Sequence, residues 1–151
     1  MTGTMAPEGE ERRRTPIHLW IVGIVSLLWN SMGAFDYLAS QMQLDFYMSQ
    51  FTEAQLEYFY AFPSWAVAGW AFGVWGAFAG SIALLLRCKW ALWAFGISII
   101  GLFVSSIYSF ALSNGVEIMG TGGVIFTAVI WIVAILLLVY TCGQTKNGVL
   151  A

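Results

Sequence analysis

The chain has 151 residues, of which 60% are hydrophobic and only 9% are charged. Soluble domains are typically about 45–50% apolar and about 25% charged, so these charged side chains are too few to cover the surface of a soluble protein. The net charge of −2 says little about partners, because the charges are unevenly placed. Strong basic character is absent, which argues against nucleic acid as a partner.

Four apolar stretches are long enough to cross a membrane, since a helix needs about 20 apolar residues to span about 30 Å of hydrocarbon. They cover residues 17–38, 63–86, 90–112 and 121–140. The alternating polarity of membrane β-strands, which extends over about ten residues, is missing. The prediction is an all-α membrane protein with four transmembrane helices in an antiparallel bundle. The bundle is assigned to residues 16–143, residues 1–15 to a disordered cytoplasmic tail, and residues 144–151 to a second cytoplasmic tail.

The first stretch is predicted to remain in the membrane as an anchor. A cleaved secretory signal has an apolar core of about 7–15 residues that ends near small side chains. Here the apolar run is longer and continues into Phe35, Asp36 and Tyr37. A twin-arginine export signal is the other interpretation of the arginines before it, and Pro16 directly after Thr15 does not favour that interpretation.

Polar side chains in the first span form the main candidate site. Asn30 is the only amide deep within a span, and an unsatisfied amide is costly in hydrocarbon, so we expect it to bond across a helix interface. Asp36 lies near the far end of this helix, with the basic residues predicted on the opposite side. Its carboxyl group is therefore expected to be hydrated, protonated or bound to an external cation. The candidate polar path or ion site comprises Asn30, Asp36 and Tyr37.

The connection over residues 41–62 is too apolar for an ordinary loop. Thr52 and Gln55 have the spacing of a capping box, which predicts a short amphipathic helix from Glu53 to about Ala61. Either this helix lies on the outer membrane surface or caps the bundle, or it acts as a lid that gates a substrate. Its apolar face is predicted to contain Leu56, Phe59 and Tyr60.

Small residues recur every three or four positions in the second and third spans, a spacing that lets helix backbones approach closely in lipid. The fourth span is richer in bulky aliphatic side chains, including Leu137, and is predicted to be the most lipid-exposed. Such seams are expected to leave little room for a pore within one protomer. The predicted packing residues are Gly69, Gly73, Gly76, Gly80 and Gly101.

The basic residues predict the orientation. All six fall on one side of a four-span arrangement, which the positive-inside rule assigns to the cytoplasm. Both termini are therefore predicted to be cytoplasmic. The six residues are Arg12, Arg13, Arg14, Arg87, Lys89 and Lys146.

Recognisable catalytic chemistry is absent from the sequence. It contains no nucleophile elbow, phosphate loop or metal-binding helix motif. Cys88 and Cys142 fit no metal-ligand spacing, and His18 is interpreted as a side chain at the membrane interface. We therefore predict no enzyme, no cofactor and no metal.

Several runs resemble a family of small four-span bacterial membrane proteins, some of which have a loose "sugar transporter" label. The resemblance covers about residues 17–110, and it implies a four-helix protein of the bacterial inner membrane without assigned catalytic or binding residues. The runs are LLWNSMGAFDY at 27–37, FPSWA at 62–66, WAFGVWG at 70–76, GS at 80–81 and LLLR at 84–87, before Trp90 and Ala91.

Two hypotheses for function follow. The first is a non-enzymatic accessory or interaction protein, partnered by the lipid bilayer and by a second copy or another membrane protein. The second is an oligomeric transporter or channel for small solutes or ions that uses the polar stripe of the first span.

Overall fold

The computed structural model of the chain describes residues 14–151, and the predicted fold class is confirmed. Four helices are long and apolar enough to cross a membrane, and the connection between the first two contains two short helices. The predicted tail at 1–15 lies outside the described residues except for its last two. The helices are α1 (Ile17–Gln41), α2 (Asp45–Met48), α3 (Glu53–Tyr60), α4 (Ser64–Leu85), α5 (Trp90–Ile107) with a π-helical turn at Tyr108–Leu112, and α6 (Gly115–Lys146).

The four long helices alternate in direction, so the bundle has two distinct ends. We call the end formed by residues 14–16, 86–89 and 147–151 the terminal end. The opposite end, formed by residues 42–63 and 113–114, is called the loop end. Helices α2 and α3 both lie at the loop end.

Helix α3 begins with the predicted capping box. The backbone amide of Gln55 donates to the hydroxyl oxygen of Thr52 at 3.2 Å, and the amide of Thr52 donates to the side-chain oxygen of Gln55 at 3.1 Å. The predicted apolar face is partly wrong, because Tyr60 is 49% exposed whereas Tyr58 is 6% exposed. The reason is tertiary: the Tyr58 hydroxyl accepts a bond from Ser113 at 3.3 Å, where the chain enters α6.

Helices α4 and α5 pack together more extensively than any other pair, and small residues allow their approach. A Cβ atom added to Gly101 would lie 2.5 Å from both the carbonyl oxygen of Gly69 and the amide nitrogen of Gly73. Neither atom can move without breaking a helix, so only glycine fits at position 101. The hydroxyl of Ser98 also donates to the carbonyl oxygen of Gly73 at 2.6 Å. We call this contact the α4–α5 seam.

A buried hydrophobic cluster fills the terminal end, and the segment after α6 is part of it. Val149 and Leu150 are each 5% exposed. The amide of Ala151 donates to the carbonyl of Arg87, and the amide of Lys89 donates to the carbonyl of Ala151, both at 3.0 Å. Residues 144–151, predicted as a tail, therefore extend α6 to Lys146 and then fold onto the α4–α5 connection. The cluster comprises Leu19, Leu84, Ala91, Phe95, Leu137, Val149 and Leu150.

Helix α6 has the smallest buried share of the four long helices, as predicted. Leu137 corrects that prediction in detail, because its side chain is buried in the terminal cluster rather than exposed to lipid. The helix also begins earlier than residue 121 and is kinked at Gly120, where φ is 68° and ψ is −173°. That region of backbone space is essentially limited to glycine, so Gly120 is what permits the kink.

Candidate functional site

A cavity of about 940 Å³ lies among α1, α4, α5 and α6 and extends from the loop end to the middle of the bundle. This size is near the upper end of the about 300–1,000 Å³ that is usual for ligand pockets. The buried hydrophobic cluster at the terminal end closes the cavity on that side. Phe95 and Leu137 belong both to this cluster and to the cavity lining. The helices therefore enclose a cavity in this half of the bundle, while the expectation that one protomer leaves little room for a pore stays a prediction.

The cavity opens sideways between α1 and α6, because these two helices have few contacts with each other. At the terminal end they are joined by a hydrogen bond of 2.5 Å between the Nδ1 atom of His18 and the Tyr140 hydroxyl. Further along, the rings of Trp29 and Phe126 bridge them with centroids 6.1 Å apart. Elsewhere α6 is held by α5, for example through a bond of 3.1 Å from the Trp131 indole to the Ser106 hydroxyl.

Residues at this opening line the cavity and are also exposed on the side of the bundle. Leu28 and Met32 of α1 are 65% and 67% exposed, and Phe126 of α6 is 58% exposed. In a membrane protein the side of the bundle faces hydrocarbon. We call this opening the α1–α6 cleft.

Asn30 is a polar group on the α1 wall of the cavity. Its side-chain nitrogen donates to the Ser81 hydroxyl at 2.7 Å and to the carbonyl oxygen of Ala77 at 3.2 Å, which confirms the predicted bond across a helix interface. Ser81 in turn donates to the same carbonyl at 2.9 Å. The side-chain oxygen of Asn30 has no donor among the described residues. This group therefore joins α1 to α4 and retains an acceptor for a ligand.

Asp36 lines the same cavity nearer the loop end. Its Oδ1 atom accepts a hydrogen bond from the hydroxyl of Tyr47, which lies in α2. Burial raises the pKa of the Tyr47 hydroxyl far above its usual range, and the hydrogen bond to Asp36 and the charge of that residue add to the effect. The tyrosine is therefore protonated and acts as the donor, a partner that sequence spacing did not reveal.

Tyr37, the third predicted site residue, belongs to a different contact. Its ring packs edge-on against Trp70 with centroids 4.9 Å apart and against Trp75 at 6.3 Å, between α1 and α4. Tyr37 is not among the residues that line the cavity. The structure thus brings Asn30 and Asp36 together on one cavity and assigns Tyr37 to helix packing.

Aromatic side chains from the connection at residues 42–63 close the loop end of the cavity. Their rings contact one another in series, with centroids 5.5 Å apart for Tyr47 and Phe51, 5.3 Å for Phe51 and Phe59, and 5.2 Å for Tyr58 and Phe62. The connection therefore caps the bundle, in line with the first of the two interpretations left open by its sequence. We call these five residues, Tyr47, Phe51, Tyr58, Phe59 and Phe62, the aromatic cover.

The remaining reactive side chains of the described chain lie away from the cavity. Cys88 and Cys142 are free and half-buried, toward the terminal end. His18 is exposed at that same end. Within residues 14–151, no group of three histidine, cysteine or acidic residues is placed to hold a metal ion. The cavity with Asn30 and Asp36 is thus the best-formed candidate site in the part of the chain that the structure describes.

Comparison of the chain with protein-family models, with curated proteins and with solved structures finds no match. The resemblance to small four-span bacterial membrane proteins stays a prediction. What is established is a multi-pass membrane protein of four long apolar helices with a ligand-sized cavity between them.

Proposed function

We propose that this chain binds a small, largely apolar molecule in the cavity and that the molecule enters from the bilayer through the α1–α6 cleft. The observation that carries the proposal is a cavity of about 940 Å³ whose lining includes side chains exposed on the bundle side. Ligand pockets are mostly apolar and contain a few convergent polar groups. The described lining has this character, with Asn30 and Asp36 among its polar members.

Of the two sequence-based hypotheses, this proposal develops the second. A transporter or carrier needs a binding site inside the membrane, and here one protomer supplies the cavity without an oligomer. An accessory or interaction protein needs no such space. Binding without catalysis is the form we propose, because Asp36 and Asn30 form no nucleophile–base pair of the kind that catalysis requires.

We also infer that the terminal end faces the cytoplasm. The basic residues of the described chain lie before α1, between α4 and α5, and at the end of α6, all at the terminal end. The positive-inside rule places such residues on the cytoplasmic side. The membrane we propose is the bacterial inner membrane, which rests on the resemblance described above. The residues are Arg14, Arg87, Lys89 and Lys146.

A neutral photoreactive probe tests occupancy of the cavity. The purified protein in detergent is illuminated with 3-trifluoromethyl-3-phenyldiazirine, and the labelled positions are found by peptide mass spectrometry. Val74 and Ala77 line the cavity, whereas Phe72 on the same helix is 60% exposed on the outside. We expect insertion at 74 and 77 as well as at 72. Labelling of Phe72 alone would contradict a ligand-accessible cavity.

Two leucine substitutions make the test specific. A Cβ atom at Gly33 or at Gly96 would meet no atom within 4 Å, but only Gly33 lines the cavity. Gly33→Leu is expected to reduce insertion at 74 and 77, because its side chain occupies part of the cavity, and Gly96→Leu is expected to leave insertion unchanged. Equal labelling of the two variants would show that the probe reaches these positions from outside.

A further inference from the structure

Two of the polar groups that line the cavity, Asn30 and Asp36, offer acceptors to a ligand. The side-chain oxygen of Asn30 has no donor among the described residues, and Asp36 uses one of its two carboxyl oxygens to accept the bond from Tyr47. The nitrogen of Asn30 is already committed to Ser81 and Ala77. A bound molecule that satisfies these oxygens has to bring hydrogen-bond donors, a positive charge, or both.

Among the described residues, the charge around the cavity has one sign. Asp36 is the acidic residue of the described lining, and that lining includes no lysine, arginine or histidine. The basic residues of the described chain lie at the terminal end, beyond the buried cluster that closes the cavity. An ionised carboxyl group in a largely apolar, membrane-embedded cavity is costly unless a cation compensates it.

Aromatic rings complete the surroundings of this carboxyl group. Phe35 packs edge-on against Tyr47 with centroids 5.7 Å apart, and Tyr47 contacts Phe51. All three residues line the cavity with Asp36. The faces of aromatic rings attract cations, most strongly where water is excluded, and rings around a negative charge are a typical site for quaternary ammonium groups.

We propose that the ligand of the cavity is a lipophilic organic cation, an ammonium or phosphonium group with apolar substituents, and that Asp36 is its counter-ion. This inference rests on the proposed function and names its ligand class. The cleft admits the ligand from the bilayer, the aromatic cover and cavity walls hold its apolar substituents, and its charge lies against Asp36. Tyr47, which donates to the carboxyl group in the described structure, gives way to the cation.

Two ions of the same shape and opposite charge provide the sharpest test. Tetraphenylphosphonium and tetraphenylborate differ little in size, and both are lipophilic. Equilibrium dialysis of the purified full chain in detergent measures the binding of radiolabelled tetraphenylphosphonium, with empty micelles subtracted and each ion used as a competitor. We expect saturable binding of the cation and competition by unlabelled cation, with weak competition by the borate. Binding of the borate as tight as that of the cation would overturn the inference.

A matched pair of variants assigns the effect to Asp36. Asp36→Asn keeps the shape of the side chain and removes its charge, and it is expected to weaken tetraphenylphosphonium binding by about tenfold or more. Glu57→Gln makes the same change in net charge at an exposed position outside the cavity and is expected to leave binding unchanged. Equal affinities for the two variants would overturn the role of Asp36. If Asp36→Asn fails to fold, Asp36→Glu and the two-ion comparison on the unmodified chain decide the question.

The neutral photolabel separates this inference from the proposed function. Diazirine labelling of the cavity that falls in Gly33→Leu, together with equal binding of the two ions, would leave the proposed function standing and contradict the cationic ligand. A cavity that neither probe reaches would contradict both.

Discussion

The α4–α5 seam and the α1–α6 cleft both contain glycine, and they differ in how closely their helices approach. Along the seam, backbone meets backbone, and a Cβ atom at Gly76 would lie 3.0 Å from the carbonyl oxygen of Ala94. Along the cleft, Gly33 borders open space. Glycine therefore allows close helix packing in one region and forms part of a cavity wall in the other. The spacing of glycines along a helix does not distinguish these two roles.

What separates the two regions is the partner helix. Helix α5 presents Gly101 and Ser98 to the glycines of α4, so small residues face small residues. Helix α6 presents Phe126 toward Trp29 of α1, and this ring pair spans the gap without filling it. In lipid there is little hydrophobic pressure to close such a gap, because hydrocarbon chains can occupy it. The cleft is thus compatible with a stable bundle.

The largest effect is expected from overpacking the seam. Gly101→Leu places a side chain where a Cβ atom already lies 2.5 Å from two backbone atoms of α4. The loss of stability should reach or exceed the upper end of the about 1–3 kcal/mol that is typical of overpacked sites. Thermal unfolding in detergent measures it. Gly96→Leu on the same helix, with open space at its Cβ, is the control and should unfold near the unmodified protein. Similar losses in both variants would mean that the seam is not close-packed.

The kink of α6 is expected to be the next most sensitive feature. Gly120→Ala forces a side chain onto a backbone with φ of 68°, where strain costs about 1–3 kcal/mol, although a Cβ atom would meet nothing within 4 Å. Gly122→Ala lies two residues further along α6, also with open space, and should be neutral or slightly stabilising. Unfolding midpoints of the two variants compare them. Equal midpoints would show that α6 passes position 120 as a regular helix.

Asn30 tests how much one polar bond adds where α1 meets α4. Asn30→Leu removes its bonds to Ser81 and Ala77, while Ser81 keeps its own bond to the Ala77 carbonyl. Interhelical hydrogen bonds in membranes contribute about 0.6–2 kcal/mol, so a loss in that range is expected in detergent unfolding. Ser31→Ala is a suitable control, because the Ser31 hydroxyl donates within α1, to the carbonyl of Leu27 at 2.6 Å. A loss no larger than that of the control would indicate that Asn30 does not join the helices.

The smallest effect is expected at Tyr47. Tyr47→Phe keeps the ring of the aromatic cover and removes the hydroxyl that donates to Asp36. The hydrogen bond from Tyr47 to Asp36, with a net contribution of about 0.5–1.5 kcal/mol, is lost and no longer competes with a cationic ligand. Tetraphenylphosphonium should therefore bind about two- to tenfold more tightly. The dialysis measurement with the unmodified chain as reference detects the change. Weaker binding would mean that the hydroxyl contacts the ligand rather than competing with it.

The elements of the fold were predictable because each depends on local pattern. The apolar runs of about 20 residues and the capping box at Thr52 and Gln55 can be recognised within single helices. The need of the Asn30 amide for a partner follows from the properties of hydrocarbon as a solvent. The described structure contains all three. The burial of Tyr58 and Leu137 was not predicted, because it depends on which helix packs against each side chain. The spacing of residues along a single helix does not contain that information.

The cavity was unpredictable for a related reason. A cavity is defined by where side chains are absent, and this depends on the angle at Gly120 and on how far α6 lies from α1. The folding of residues 147–151 onto the α4–α5 connection was also unpredictable from local pattern, because it joins two segments that are about 60 residues apart along the chain. Sequence pattern located Asn30 and Asp36 as candidates, and only the packing of four helices showed that they face one cavity and that Tyr37 does not.

The central claim, that the cavity is open to the bilayer, is tested most directly by oxygen accessibility of nitroxide labels on α4. In a background with Cys88 and Cys142 replaced by alanine, single labelled cysteines replace Phe72, Val74 and Leu84 in protein reconstituted into vesicles. Phe72 faces outward, Leu84 is fully buried in the terminal cluster, and Val74 lines the cavity. Oxygen dissolves in hydrocarbon, so we expect power-saturation measurements to give position 74 an accessibility close to that of position 72. An accessibility at 74 equal to that at 84 would contradict the open cleft.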